Sequence, residues 1–272
     1  MRLRAALGAG AAAAAAGVWW IAWHEPRRLT VNELEVRPSN WPQSLDGLRV
    51  GLMSDLHAGL GHTNPARVRE AAELLNAQSP DLICLLGDYL DSTRFGRGRA
   101  DPGEIASELA RLRAPLGRFA VLGNHDWRGA GAAMGDALNK TGLTVLENAA
   151  AQAGELWVAG VADMRTRLPD IPKALEIVPG DAPVLLLAHD PDLFPQVPPR
   201  VALTLAGHTH GGQVDVPVLR LLFIPSGHGV RYLGGLVEED GRRLFVSTGV
   251  GTAGLRLRFR RPPEVVILTL RS

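Results

Sequence analysis

The 272-residue sequence predicts an α/β fold, and three observations carry that expectation. Five short apolar runs occur, at residues 48–53, 82–86, 119–122, 184–188 and 201–206. Each is four to six residues long with little polar alternation, which is the pattern of strands buried on both faces. Amphipathic helical patterns separate the first three runs, and Pro80 and Pro115 then punctuate the return to a strand. Strand alternating with helix argues for an α/β sheet.

The elements follow in chain order. Arg2 and Arg4 precede an uncharged stretch over residues 5–23, which as a helix would span about 28 Å, close to the hydrocarbon thickness of a bilayer. Val18, Trp19, Trp20, Ile21 and Trp23 add hydrophobicity to a weakly apolar alanine run. A signal anchor, a cleaved signal peptide and a soluble Ala-rich helix compete here. The anchor is favoured, because cleavage within the alanines would leave too little apolar length upstream. Arg2 and Arg4 set against Arg27 and Arg28 place the amino terminus inside and the folded domain on the extracytoplasmic side. The expected organisation is thus a membrane-anchoring hydrophobic helix over residues 1–26 and one domain over residues 27–272.

An edge strand is expected near residues 29–36, closed by Pro38 and Pro42. Residues 65–78 place Val68, Ala71, Ala72, Leu74 and Leu75 on one helical face, and residues 103–113 carry Ile105, Leu109 and Leu112. Further strands are expected at 143–147, 156–161, 244–248 and 265–270, with one helix near 171–177. No repeat or linker divides residues 45–272.

Lys and Arg total 29 against 28 Asp and Glu, a net charge of +1, so no broad basic field exists and a nucleic-acid partner is not expected. No protein partner is predicted either. With 46% hydrophobic residues the chain can bury a sizeable core, which excludes a disordered chain. The single cysteine, Cys84, excludes an intramolecular disulfide framework and a Cys-based zinc cluster. Eight histidines are the chemically informative minority.

Each of the five apolar runs ends in polar, metal-competent residues. These are Ser54-Asp55-Leu56-His57, Gly87-Asp88-Tyr89-Leu90-Asp91, Gly123-Asn124-His125-Asp126, His189-Asp190, and Gly207-His208-Thr209-His210-Gly211-Gly212-Gln213. Ligand sites of α/β sheets assemble at the carboxyl ends of strands. Asp55, His57, Asp88, Asn124, His189, His208 and His210 make seven oxygen and imidazole donors with no thiolate. That set suits Mn, Fe or Zn. One tetrahedral ion needs four ligands, so seven imply two divalent ions with a shared carboxylate, able to hold a bridging hydroxide in line with a phosphorus atom. His125 is left over beside Asn124, where an imidazole suits the general acid for an alkoxide leaving group.

In their order these blocks resemble the calcineurin-like metallophosphoesterases. The Ser-Asp-Leu-His start, the Gly-His-Thr-His-Gly-Gly-Gln block and the Pro262-Pro263-Glu264 ending are most similar to the bacterial membrane-associated phosphodiesterases of the YkuE and YaeI type. The resemblance implies a two-sheet β-sandwich flanked by α-helices. It implies that Asp55, His57, Asp88 and His210 hold one ion, that Asp88 bridges, and that Asn124, His189 and His208 complete the other. It also implies that Asp91 orients His125, with Asp126 as the competing candidate. Protein phosphatases of this superfamily carry Arg-Gly after the second Asp of the Gly-Asp-x-x-Asp block, and this chain has Ser92-Thr93. A phosphoprotein substrate is therefore disfavoured.

His62 and His228 lie in Gly-rich segments, and His228 is a candidate substrate contact. Arg256, Arg258 and Arg260 alternate and would share one strand face, so Arg258 is a candidate for a phosphate or anionic headgroup; a solvated edge is the competing reading. The expected function is hydrolysis of a phosphoester on a membrane-associated or lipid-linked substrate, of the phosphodiesterase or pyrophosphohydrolase type; the sequence leaves diester, monoester and pyrophosphate open, so a phosphatase remains an option. The alternative is a membrane-anchored binding module that keeps metal for folding without turnover.

Overall fold

The computed structural model describes residues 2–93, 96, 99–216 and 224–272. Helix α1 (Arg2–Trp19) leads through a π-helical turn at Trp20–His24 and a 3-10 turn at Glu25–Arg27 into β1 (Thr30–Val36). Then come β2 (Leu48–Met53), α2 (Pro65–Asn76), β3 (Leu82–Leu85), α3 (Pro102–Leu109), β4 (Arg118–Ala120), α4 (Asn124–Gly129), α5 (Gly131–Lys140) and β5 (Thr144–Val145). The second half runs β6 (Ala149–Ala153), β7 (Leu156–Gly160), α6 (Ile171–Ala174), β8 (Val184–Leu187), β9 (Leu203–Ala206), β10 (Gly235–Glu239), β11 (Arg242–Val246) and β12 (Glu264–Leu270).

The strands form two six-stranded sheets, ordered β1-β12-β2-β3-β4-β5 and β10-β11-β9-β8-β7-β6. β2, β3, β4 and β5 pair in parallel, as do β7, β8, β9 and β11. Alternating residues explain the unbroken apolar runs. Val50, Leu52, Leu82 and Cys84 point between the sheets to meet Leu185, Leu187, Leu203 and Leu205. Ile83, Leu85 and Met53 face the other way, onto Val68, Ala71, Leu75, Ile105 and Leu109 of α2 and α3. Leu186, Val184 and Ala206 back onto Ile171, Phe194 and Tyr232. A strand covered on both faces has no side left for polar residues. The architecture is thus mixed α/β with two sheets flanked by helices.

Three α-helices start on side-chain caps that the sequence supplies, α6 among them, where Asp170 Oδ1 accepts from Lys173 N–H. Asn64 Oδ1 accepts from Arg67 N–H ahead of Pro65, and Asp101 Oδ1 accepts from Glu104 N–H ahead of Pro102. Such caps are each worth about 1 kcal/mol, and proline at the first helical position loses no hydrogen bond.

Three features differ from the sequence expectation. α4, α5, β6 and β10 lie outside the sequence expectation; α5 contains Gly131 and Gly135, and β6 is the alanine-rich Ala-Ala-Ala-Gln-Ala. Tertiary pairing with β7 overrides the poor strand preference of alanine. The basic segment near residues 256–260 is not a strand with one arginine face: Arg258 turns inward and is fully buried. The N-terminal helix forms, but 12 of the 18 residues of α1 are Ala or Gly. Such side chains bury little apolar area, and among the described residues no helix is long and apolar enough to cross a membrane. The spanning segment expected from the sequence is therefore not supported.

Candidate metal centre

The seven candidate donors all follow strand carboxyl ends and meet where the two sheets converge. Asp55 and His57 follow β2, Asp88 follows β3 and Asn124 opens α4 after β4. His189 follows β8, and His208 and His210 follow β9. All seven are buried. Asp55, His57, Asp88, His208 and His210 each hold a positive φ, between 47° and 70°. Non-glycine residues adopt that region at a cost and concentrate at functional sites.

Backbone hydrogen bonds lock these turns together. Asp55 N–H donates to Gly87 C=O at 2.9 Å, His57 N–H to Asp88 C=O at 2.9 Å, and Gly207 N–H to His189 C=O at 3.0 Å. His208 N–H reaches the Asp55 carboxylate at 3.0 Å, and His125 N–H reaches Asp88 Oδ1 at 2.7 Å. The approach is too close for a side chain at Gly123, where a Cβ would come within 2.7 Å of His189 Cε1.

Two donor groups result, joined by a third. Asp55, His57 and His210 offer ligand atoms within 4.8 Å of one another, so do Asp88, His189 and His208, and His57, Asp88 and His125 make a third such group that links them. Asp88 Oδ2 lies between the groups, 3.6 Å from His57 Nε2 and 3.3 Å from His189 Nε2. The donors fit divalent cations. His57 and His210 present Nε2 atoms to each other at 3.0 Å, and Asn124 Oδ1 is buried without a hydrogen-bond partner. His208 turns Nδ1 toward His189 Nε2 at 3.1 Å, while its Nε2 faces Pro225 C=O at 3.3 Å. His189 Nδ1 lies 2.7 Å from Leu86 C=O, which fixes its ring.

The electrostatics suit ligation. Burial, reinforced by His189, pushes His208 well below its ordinary pKa, and burial with His57 and Arg258 does the same for His210. Both rings therefore stay neutral with a lone pair to give. Burial alone would raise the pKa of Asp88, but His189, His57 and His125 outweigh it and hold the carboxyl well below the usual range.

His125 sits at the edge of the site, with 16% of its side chain exposed. Its Nδ1 lies 3.5 Å from Asp91 Oδ1 and 3.0 Å from Ser92 Oγ. Asp126, the competing candidate to orient His125, has a different place. Its carboxylate accepts from the N–H groups of Asp88, Tyr89, Leu90 and Gly123, at 2.8 to 3.1 Å. It thereby ties the Asp88 turn to the start of α4. Tyr89 is core packing, its hydroxyl donating to Val121 C=O.

Arg258 is enclosed by the protein, with no exposed surface. Its guanidinium donates to the carbonyls of Gly251, Arg261, Thr248 and Gly249 and has no path to solvent. Alternation in sequence suggested an exposed face; a loop wrapped around the side chain supplied acceptors instead. His228 is exposed beside Tyr232, on the loop whose Ser226 Oγ donates to Asp192. His62 packs against Trp23 and Arg27 of the N-terminal segment. Sequence reading missed Arg165, and it placed Asp190 in the His189-Asp190 block without giving it a role. Arg165 Nε donates to Asp190 Oδ2 at 2.5 Å, and that oxygen stands 3.5 Å from His208 Nε2.

A family model described as calcineurin-like phosphoesterase matches residues 48–212, the span that carries all seven donors. The chain belongs to the calcineurin-like phosphoesterases. It is similar to the metallophosphoesterase YkuE of Bacillus subtilis (strain 168), with 30% identity over 275 residues, covering 98% of this chain and 94% of that one. A metallophosphoesterase of Aquifex aeolicus (strain VF5) is 31% identical over 254 residues, covering 90% of this chain and 92% of that one. A Danio rerio transmembrane protein with a metallophosphoesterase domain is 28% identical over 261 residues; the match covers 89% of this chain and 57% of the relative. As a calcineurin-like phosphoesterase, the chain is a metal-dependent phosphoester hydrolase.

Proposed function

We propose that two divalent cations, of Mn, Fe or Zn, bind at the sheet junction and that the chain hydrolyses phosphodiesters or pyrophosphates there. Asp55, His57, Asp88 and His210 form the first site in this reading, and Asp88, Asn124, His189 and His208 the second. The observation that carries it is the position of Asp88 Oδ2, 3.6 Å from His57 Nε2 and 3.3 Å from His189 Nε2, where one oxygen faces both donor groups. Two bound cations supply the charge that activates water and stabilises phosphoryl oxygens.

The chain's own groups do the rest. His125 gives a proton to the leaving alkoxide from the site edge. Asp91 and Ser92 face its Nδ1, which fixes the ring and leaves Nε2 for the transfer. Ser92 stands where the protein phosphatases resembled by this motif carry arginine, so the substrate's phosphoryl group meets no side-chain cation at that position. A small diester or pyrophosphate suits that site better than a phosphoprotein. The test is hydrolysis of a bis-aryl phosphate with Mn supplied. Turnover that disappears in Asp88→Asn and His208→Ala supports the reading, and turnover unchanged in both overturns it.

A lipid-linked substrate is favoured by one further observation. Val18, Trp19 and Trp23 are each more than half exposed on the N-terminal segment, which suits the interfacial region of a bilayer. This reading needs the segment at the membrane surface, not across it. Retention of the chain on anionic vesicles, lost when Trp19 and Trp23 become serine, tests it; equal retention of both proteins contradicts it.

A further inference from the structure

The segment that follows α1 is fastened to the two loops flanking Asp55. Glu25 is a buried carboxylate, 4% exposed, and with the buried Pro26 it follows the partly exposed apolar run Trp19–Trp23. Its Oε1 accepts from Arg261 N–H at 2.9 Å and its Oε2 from Trp20 Nε1 at 2.9 Å. Ile21 C=O accepts from Arg258 N–H at 2.9 Å. On the other side, Arg67 donates to Arg27 C=O at 3.0 Å, and Arg27 Nη1 lies 3.1 Å from His62 Nε2, on the loop that begins at His57.

The contacts continue inward to the metal centre. Arg258, held at its backbone by Ile21, gathers the carbonyls of Thr248, Gly249 and Gly251 around its guanidinium. That loop in turn holds the backbone of Ser54 and Asp55. Val250 N–H donates to Ser54 C=O at 3.0 Å and Gly251 N–H to Asp55 C=O at 2.7 Å. Packing leaves no slack, since a Cβ at Gly249 would lie 2.7 Å from Asp55 Cβ. Asp55 itself is held at a φ of 53°, a conformation that needs its surroundings to persist.

We infer that Glu25 is a positioning residue for the first metal site. It holds Arg261 and, with the Ile21 carbonyl, the loop of residues 248–261, whose Val250 and Gly251 fix Asp55. Residues 20–27 are then part of the catalytic unit. A change in the seating of residues 20–27 reaches the first site directly and the second only through the His208 N–H that donates to the Asp55 carboxylate, a backbone contact that leaves the His208 ring free to ligate. This inference rests on the two-ion assignment above.

The test uses full-length apo-protein titrated with Mn by calorimetry. His189→Ala isolates the first site and His210→Ala isolates the second. Adding Glu25→Ala weakens Mn binding by about tenfold or more in the first background, the range typical of lost outer-sphere support, and leaves the second within about twofold. Glu25→Gln restores most of the first-site affinity, because its amide oxygen still accepts from Arg261 N–H. Melting of each apo-variant, followed alongside, separates lost positioning from lost folding. Unchanged first-site affinity in Glu25→Ala overturns the inference, and so does an equal loss at both sites accompanied by a fall in melting temperature. If the parent protein binds fewer than two Mn ions, the two-ion assignment falls, and this inference with it.

Discussion

Asp91 Oδ1 lies 3.5 Å from His125 Nδ1, and the same oxygen lies 3.6 Å from His57 Nδ1. One buried carboxylate thus addresses both the candidate acid and a candidate ligand. Burial lowers the pKa of His125, but the adjacent Asp91 carboxylate, facing its Nδ1, and the charge of Asp88 outweigh it, so the net shift is upward from 6.5. A general acid works in its protonated form, so kcat falls as pH rises through that raised value. Asp91→Asn removes one of the raising charges. The alkaline limb of the kcat profile is expected to move to lower pH, by about one unit for each 1.4 kcal/mol of lost interaction. An unmoved limb would exclude Asp91 from this role.

His125→Ala separates proton donation from general damage. For an alkyl leaving group, which needs a proton, kcat is expected to fall about 10²- to 10⁴-fold. A p-nitrophenolate leaves unprotonated, so the loss with a bis-aryl phosphate should be much smaller. Stopped assays on both substrates give the comparison, and equal losses would point to a ligand or packing role instead.

Asp126 predicts a stability effect. Four backbone N–H groups of the Asp88 turn and Gly123 converge on its carboxylate. Asp126→Ala leaves buried donors unsatisfied and is expected to cost about 3 kcal/mol or more, measured by urea unfolding of the apo-protein. A cost below about 1 kcal/mol would mean that water replaces the carboxylate without penalty.

Glu108 sets an acid window away from the metal centre. Hydrogen bonds from Arg69 lower its pKa, burial opposes them, and Arg111 adds to the lowering, bringing it from 4.5 to about 2. A depressed carboxylate pKa stabilises the fold above the unfolded value and loses that stability as pH falls toward the folded one. Glu108→Gln is therefore expected to cost about 1 kcal/mol at pH 7, after allowing for solvent screening of the exposed arginines. The gap between the two proteins should close between pH 4.5 and about 2, as followed by thermal unfolding. A gap that persists at the acid end would assign the effect to packing.

The strand runs and the site were legible for the same reason. Leu82 to Leu85 is apolar throughout because both faces are covered, and Asp88 is polar because it stands where the strand ends at the sheet junction. Chemistry-bearing residues therefore punctuated an otherwise uniform pattern. Long-range contacts left no such mark. Nothing local shows that Arg258 will be wrapped by four carbonyls, that Asp126 will reach across to residues 88–90, or that Glu25 will bury itself against Arg261. The N-terminal stretch misled in the opposite direction. Its uncharged length resembled a spanning helix, but alanine and glycine supply length without enough apolar area.

The most direct test of the central claim is a stoichiometric one. Apo-protein titrated with Mn while bis-aryl phosphate hydrolysis is followed should gain activity up to two ions per chain. Asp88→Asn, with its shared oxygen altered, should bind fewer ions and lose turnover. Full activity at one ion per chain, or turnover in Asp88→Asn equal to that of the unaltered protein, would contradict a two-ion centre bridged at Asp88.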